Sequence, residues 1–117
     1  MTPQKSASLP VVLVDDEKTV LLSSKMILAS AGIRSVQTFD DSRDLMPFLA
    51  SHEAAVVVLD LFMPYLPGTR LLPEIIQAYP EMPVIVMTAS QEVESAVHCM
   101  KEGAFDYLVK PVEESRF

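Results

Sequence analysis

Tryptophan is absent, cysteine occurs once and glycine three times in this chain of 117 residues. The single Cys99 excludes an internal disulfide and a multi-cysteine zinc site, and it fits a reducing cytoplasm. On a helix it reads as a small apolar filler rather than a reactive thiol. Lys and Arg number 9 against 16 Asp and Glu, for a net charge of −7, and no basic run exists. Nothing here neutralises a phosphate backbone, so direct nucleic-acid binding by this segment is not expected. Long apolar runs are missing too. Stretches such as residues 54–59 (AAVVVL) fall far short of the roughly 20 residues that cross a bilayer. Residues 1–8 are polar and lack the apolar centre of a signal peptide. A cytoplasmic protein without a membrane segment is expected.

What the chain does contain is apolar material for one buried core, at 50% hydrophobic residues. The expected organisation is a polar extension over 1–8 and one domain over 9–117. Residues 9–14 (LPVVLV) read as a strand buried on both faces and ending in Asp15-Asp16. Helical spacing of Val20, Leu21, Ser24, Ile27, Leu28 and Ala31 follows, stopped by Gly32. Residues 34–39 form a weaker edge strand. A helix over 40–50 contains Pro47, so it either starts late with Asp44 as cap or is short and kinked. Residues 54–59 are the most strongly buried strand and lead into Asp60. Beyond a Pro- and Gly-containing loop, Leu71, Leu72, Ile75, Ile76 and Tyr79 mark a helix with Pro73 near its first turns. Residues 83–87 make a strand ending at Thr88. Val93, Ala96, Val97 and Met100 define a helix stopped by Gly103, and residues 105–109 form a last strand ending at Lys110.

Apolar strands alternating with helices imply an α/β fold with a parallel sheet covered on both faces. Chemistry in such sheets sits beyond the carboxyl ends of the strands. Those ends carry Asp15-Asp16, Asp60, Thr88 and Lys110. Each alone has a plain alternative: an acidic helix cap, a strand-end hydroxyl or a solvated surface Lys. Together they suggest one site. Three carboxylates facing one crevice repel, and a hard divalent cation such as Mg²⁺ resolves the repulsion. It would also ease phosphorylation of a carboxylate, where attacking oxygen and incoming group are both negative. In that scheme Asp60 attacks, Asp16 and Asp60 ligate Mg²⁺, Asp15 holds a metal-bound water, and Thr88 and Lys110 bind phosphoryl oxygens.

Four stretches, VLVDDE (12–17), LDLFMPYLPG (59–68), VIVMTA (84–89) and GAFDYLVKP (103–111), resemble in order and spacing the receiver domains of bacterial two-component response regulators. AVHCMKEGAFDYLVKP looks most like receivers attached to sigma-54-dependent activators. The resemblance implies a doubly wound five-stranded parallel sheet of flavodoxin-like order 2-1-3-4-5. It implies that a sensor histidine kinase or phosphotransfer protein donates a phosphoryl group to Asp60 with Mg²⁺, in a signalling domain rather than an enzyme. By the same resemblance the backbone carbonyl of Phe62 is a metal ligand, and Tyr107 is the aromatic that turns inward when Thr88 moves. Lys110-Pro111 falls on a bond usually cis in the family. A phosphorylation-dependent homodimer is a further expectation.

Two departures stand out. Phe62 and Ser90 border the path of attacking water, and a bulky Phe62 is expected to shield an acyl phosphate. Receivers also continue into a fifth helix, so a sequence ending at Phe117 implies a helix cut short, with an output domain or partner beyond it. Competing readings are a haloacid-dehalogenase-type aspartyl phosphatase, a flavodoxin-like flavin carrier and a degenerate receiver used only for docking. The phosphatase would need an Asp-x-Asp after the first strand, where Asp15-Asp16-Glu17 stands instead.

Overall fold

The computed structural model describes residues 9–89 and 92–110. The polar extension, Ser90, the Lys110-Pro111 bond and the expected start of a fifth helix lie outside the described residues. Five strands form one sheet: β1 (Val11–Val14), β2 (Val36–Phe39), β3 (Val56–Asp60), β4 (Val84–Ala89) and β5 (Asp106–Lys110). Every pairing is parallel and the order is β2-β1-β3-β4-β5. This is the order expected for a doubly wound fold, and it places β3, which ends on Asp60, at the centre.

Among the described residues four helices connect the strands: α1 (Lys18–Ser30), α2 (Leu45–Leu49), α3 (Gly68–Ala78) and α4 (Val93–Glu102). Alternate side chains of the strands feed two separate cores, as the period of 2 dictates. Val12, Val14, Val57, Leu59, Val84 and Val86 pack with residues of α2, α3 and α4, including Leu45, Leu49, Leu71, Leu72, Ile75 and Cys99. Leu13, Val58, Met87 and Leu108 point the other way and meet Leu21 and Leu28 of α1. Burying such a Leu or Val contributes roughly 1.5–3 kcal/mol, so the central strands are the best-anchored part of the chain.

One helix takes the late-starting, short form expected of it, and another differs from the expectation in which residues it buries. Around Pro47 the chain first makes a 3-10 turn (Ser42–Asp44), then a five-residue helix with Asp44 at its N-cap position. Pro47 falls in that helix's first turn, where a missing N–H costs little. In α4 the buried residues are Ala96 and Cys99, whereas Val97 and Met100 are exposed. The small residues face the sheet and allow close approach, so the bulkier pair of the apolar pattern turns outward. Cys99 is indeed a buried filler, and burial pushes its thiol up from the ordinary value. Gly103 closes α4 with φ +116, a conformation that calls for glycine; a Cβ there would lie 3.1 Å from Ile76 Cδ1, a side-chain end that can give by a few tenths of an ångström.

Candidate functional site

Parallel strands deliver their last residues to one edge of the sheet. Asp15 follows β1 directly and is fully buried, and its Oδ1 accepts the Glu17 N–H at 2.9 Å. Asp15 therefore does cap the turn into α1, but it spends only one oxygen on it. Asp60 ends β3, is 4% exposed, and accepts the Phe62 N–H on Oδ1 at 3.3 Å. Lys110 ends β5 and reaches over β4 to both carboxylates: Nζ lies 2.8 Å from Asp15 Oδ2 and 3.3 Å from Asp60 Oδ2. A third carboxylate, Glu17, meets the same ammonium at 3.1 Å. Asp16 is exposed at the rim.

Asp15, Asp16 and Asp60 each offer an oxygen within 4.8 Å of the others, close enough to share one cation. Asp15 Oδ2 sits near Lys110 without an aligned hydrogen bond, and no other donor reaches it among the described residues. A fully buried carboxylate oxygen left with open lone pairs is costly, and a hydrated cation would satisfy it. Oxygen-only donors match a hard cation such as Mg²⁺ better than a soft one. Beside the trio lies an open pocket of about 290 Å³ lined by Asp16, Glu17, Asp60, Phe62, Ala89 and Lys110.

The charges are strongly perturbed. Burial, followed by the neighbouring Asp15 carboxylate, raises the Asp60 carboxyl to about 7, against the opposing pull of Lys110 and the Phe62 N–H. Burial alone would lower the Lys110 ammonium, but its contacts with Asp15, Asp60 and Glu17 outweigh it and hold the group well above the ordinary lysine value. The site thus keeps Lys110 charged while resisting ionisation of Asp60.

Thr88 is buried, but its hydroxyl is turned away from the carboxylates, toward the backbone carbonyls of Glu92 at 3.2 Å and Ala89 at 3.3 Å. Tyr107 lies opposite Val86 in the β4–β5 register and is half-buried against the core beside α3 and α4. The Phe62 side chain is 47% exposed at the pocket rim.

The loop from β3 to α3 is fixed by residues that sequence reasoning missed. The Ser42 hydroxyl donates to the Leu66 carbonyl. Arg43 stacks over the Tyr65 ring at 4.1 Å and pairs with Asp41, which its hydrogen bonds hold down to about 2. Tyr65 itself takes the left-handed conformation at φ 70, which a bulky residue adopts only when its surroundings impose it. The Gly68 N–H closes the loop onto the Leu61 carbonyl at 2.9 Å. A Cβ on Gly68 would run into the Asp60 carbonyl oxygen and sit 2.9 Å from Leu61 Cα. Backbone cannot move aside cheaply, so Gly68→Ala should cost about 1–3 kcal/mol of stability in urea unfolding. A loss below about 0.5 kcal/mol would contradict this crowding.

Residues 11–117 match the family model described as the response regulator receiver domain. The chain belongs to the response regulator receiver domain family. Relatives include the DNA-binding transcriptional regulator NtrC of Salmonella typhimurium, 38% identical over 103 residues that cover 88% of this chain and 22% of that protein. Response regulator protein FleR of Pseudomonas aeruginosa is 38% identical over 105 residues, with the same coverage of 88% and 22%. The receiver thus spans about a fifth of the length of these curated relatives. The solved receiver domain protein of Clostridium thermocellum superposes with a TM-score of 0.83 at 37% identity, covering 92% of this chain and 86% of that one. These regulators agree with the likeness to receivers of the sigma-54-dependent activator type, and the receiver is a signalling domain of the two-component class.

Proposed function

We propose that this receiver accepts a phosphoryl group on Asp60 from a phosphohistidine and thereby switches conformation. The observation that carries the reading is the meeting of Asp15, Asp60 and Lys110 at the carboxyl ends of β1, β3 and β5. A carboxylate oxygen of Asp60 attacks phosphorus, the P–N bond breaks, and the imidazole leaves with a proton from solvent. Asp16, Asp60 and the Phe62 carbonyl would hold Mg²⁺, with Asp15 reaching it through water. The ion supplies charge neutralisation between the carboxylate and the incoming phosphoryl oxygens. Lys110 pairs with one phosphoryl oxygen, and Ala89 leaves the approach open.

Thr88 gives the switch its starting position. To reach a phosphoryl oxygen its hydroxyl must leave the Glu92 and Ala89 carbonyls, and that rotation vacates space into which Tyr107 turns. Phosphorylation then shifts a population between two arrangements of α4 and β5. The donor would be a sensor histidine kinase or phosphotransfer protein, in the cytoplasm. The response would pass to an output domain or partner, through a phosphorylation-dependent homodimer and without direct nucleic-acid or membrane contact by this segment. Residues 9–117 would form the receiver unit and 1–8 a polar extension. Among the described residues no helix is long and apolar enough to cross a membrane.

The reading is tested by incubating the protein with Mg²⁺ and acetyl phosphate and weighing it. One phosphoryl group per chain, absent in Asp60→Ala, is expected. Turnover of many phosphomonoesters without an adduct would favour the phosphatase alternative, and inertness toward the donor a docking module.

Phe62 sets the lifetime of that adduct in this account. Its ring stands at the rim of the pocket, where a water must be positioned as well as present to hydrolyse the acyl phosphate. Phe62→Asn should speed phosphate loss by on the order of tenfold, equivalent to about 1.4 kcal/mol of barrier. An unchanged or slower rate of loss would rule out shielding.

A further inference from the structure

A lysine ammonium has three donors, and three carboxylates surround that of Lys110. Asp15 and Asp60 are accounted for by the cation and phosphoryl chemistry. Glu17 is not, because it stands outside the trio of carboxylates close enough to share a cation. Nor does its side chain serve α1. Glu17 is the N-cap residue, yet its carboxylate makes no capping hydrogen bond, and only its backbone carbonyl takes the N–H groups of Val20 and Leu21. The side chain instead crosses to Lys110 from the rim of the pocket, 3.1 Å away and 58% exposed.

We propose that Glu17 is a positioning residue acting through Lys110: a resting latch that keeps the ammonium at the site and competes with phosphoryl oxygens for it. The proposal rests on the reading of Asp60 as phosphoryl acceptor. Phosphorylation turns the Asp60 carboxylate that Lys110 faces into the acyl phosphate itself, so the ammonium must move outward to follow the phosphoryl oxygens, and one of its two other contacts, Asp15 or Glu17, must stretch. Releasing Asp15 would leave a fully buried charge uncompensated, which is the costlier choice. Glu17 is the partner that water replaces most readily, since an exposed ion pair is worth only a factor of roughly two to five. The latch holds the Lys in the unphosphorylated site and gives way on phosphorylation, and the modified state is weakened by that factor.

The test uses beryllofluoride as phosphoryl mimic with saturating Mg²⁺, on wild type, Glu17→Gln and Glu17→Asp labelled with ¹³C-lysine. Without metal, Glu17→Gln should shift the Lys110 ¹³Cε resonance, identified by its loss in Lys110→Met. With metal, both variants should bind beryllofluoride about two- to five-fold more tightly than wild type. Glu17→Asp retains the charge but is one methylene too short to hold the ammonium, so it separates a latch from simple repulsion of an anion. An unmoved Lys110 resonance would overturn the proposal. So would unchanged or weaker binding by Glu17→Gln, or a Glu17→Asp variant that matches wild type. A wild-type protein that takes up no beryllofluoride would overturn the Asp60 reading, and the latch with it.

Discussion

Lys110→Met should destabilise the metal-free protein by about 2–3 kcal/mol at pH 7, and Mg²⁺ should return most of that loss. The ammonium is the cation shared by buried Asp15 and Asp60, with its own side chain 19% exposed. Removing one partner of a buried pair leaves the other charge uncompensated, at a cost of about 3–5 kcal/mol in fully buried cases. The opening of this site to a pocket and the ability of Asp60 to take up a proton bring the expected cost to the lower figure. A divalent cation substitutes for the missing ammonium, so Mg²⁺ should stabilise the variant more than the wild type. Urea unfolding with EDTA and with Mg²⁺ measures both effects. A loss below about 0.5 kcal/mol, or equal Mg²⁺ stabilisation of the two proteins, would show that Lys110 does not compensate the carboxylates.

The second large effect is the pH dependence of the same site. In the fold the Asp60 carboxyl is raised from the ordinary 3.8 to about 7, chiefly by burial and then by Asp15. A group whose folded pKa is raised contributes stability that is complete below its unfolded pKa and lost as pH rises through the folded one. Metal-free protein should therefore lose stability from about pH 4 upward, most steeply at roughly pH 5–6, midway between the two values, and level off above about 7. Asp60→Asn, neutral throughout, should remove that slope and melt above the wild type at pH 8 by on the order of 5 °C, roughly 1 kcal/mol for a domain of this size. The figure is set well below the full shift because the site is open to solvent. Mg²⁺ should flatten the wild-type slope as well, since a cation favours the ionised carboxylate and binds with release of a proton. A variant that melts below the wild type at pH 8 in EDTA would contradict this.

The sheet was legible because its signal is strong and redundant. Continuous apolar runs at 9–14, 54–59 and 83–87 read as strands buried on both faces, because they are short and rich in Val, and a polar residue closing each one marks the edge where strands stop. Asp15, Asp60 and Lys110 follow from that logic, and the structure brings them together. Three features were not legible, each for a physical reason. Hydroxyl direction is a rotamer choice, so nothing in the sequence shows that Thr88 turns to the Glu92 carbonyl. Glu17 reads as a helix-capping acid, and its pairing with Lys110 depends on two strand ends 93 positions apart meeting in space. The Arg43–Tyr65 stack and the Ser42–Leu66 bond join two loops whose register only the folded sheet defines. The outward turn of Val97 and Met100 belongs with these, because the apolar pattern cannot say whether small or large residues of α4 face the sheet.

The central claim is that Asp60, and no other carboxylate of this cluster, carries the phosphoryl group. Borohydride reduction of acetyl-phosphate-treated protein, followed by peptide mass mapping, tests it most directly, because an aspartyl phosphate is reduced to homoserine where it stands. Homoserine at position 60, dependent on both donor and Mg²⁺, is the predicted result. Homoserine at 15 or 16, or none at any position after treatment, would contradict the account.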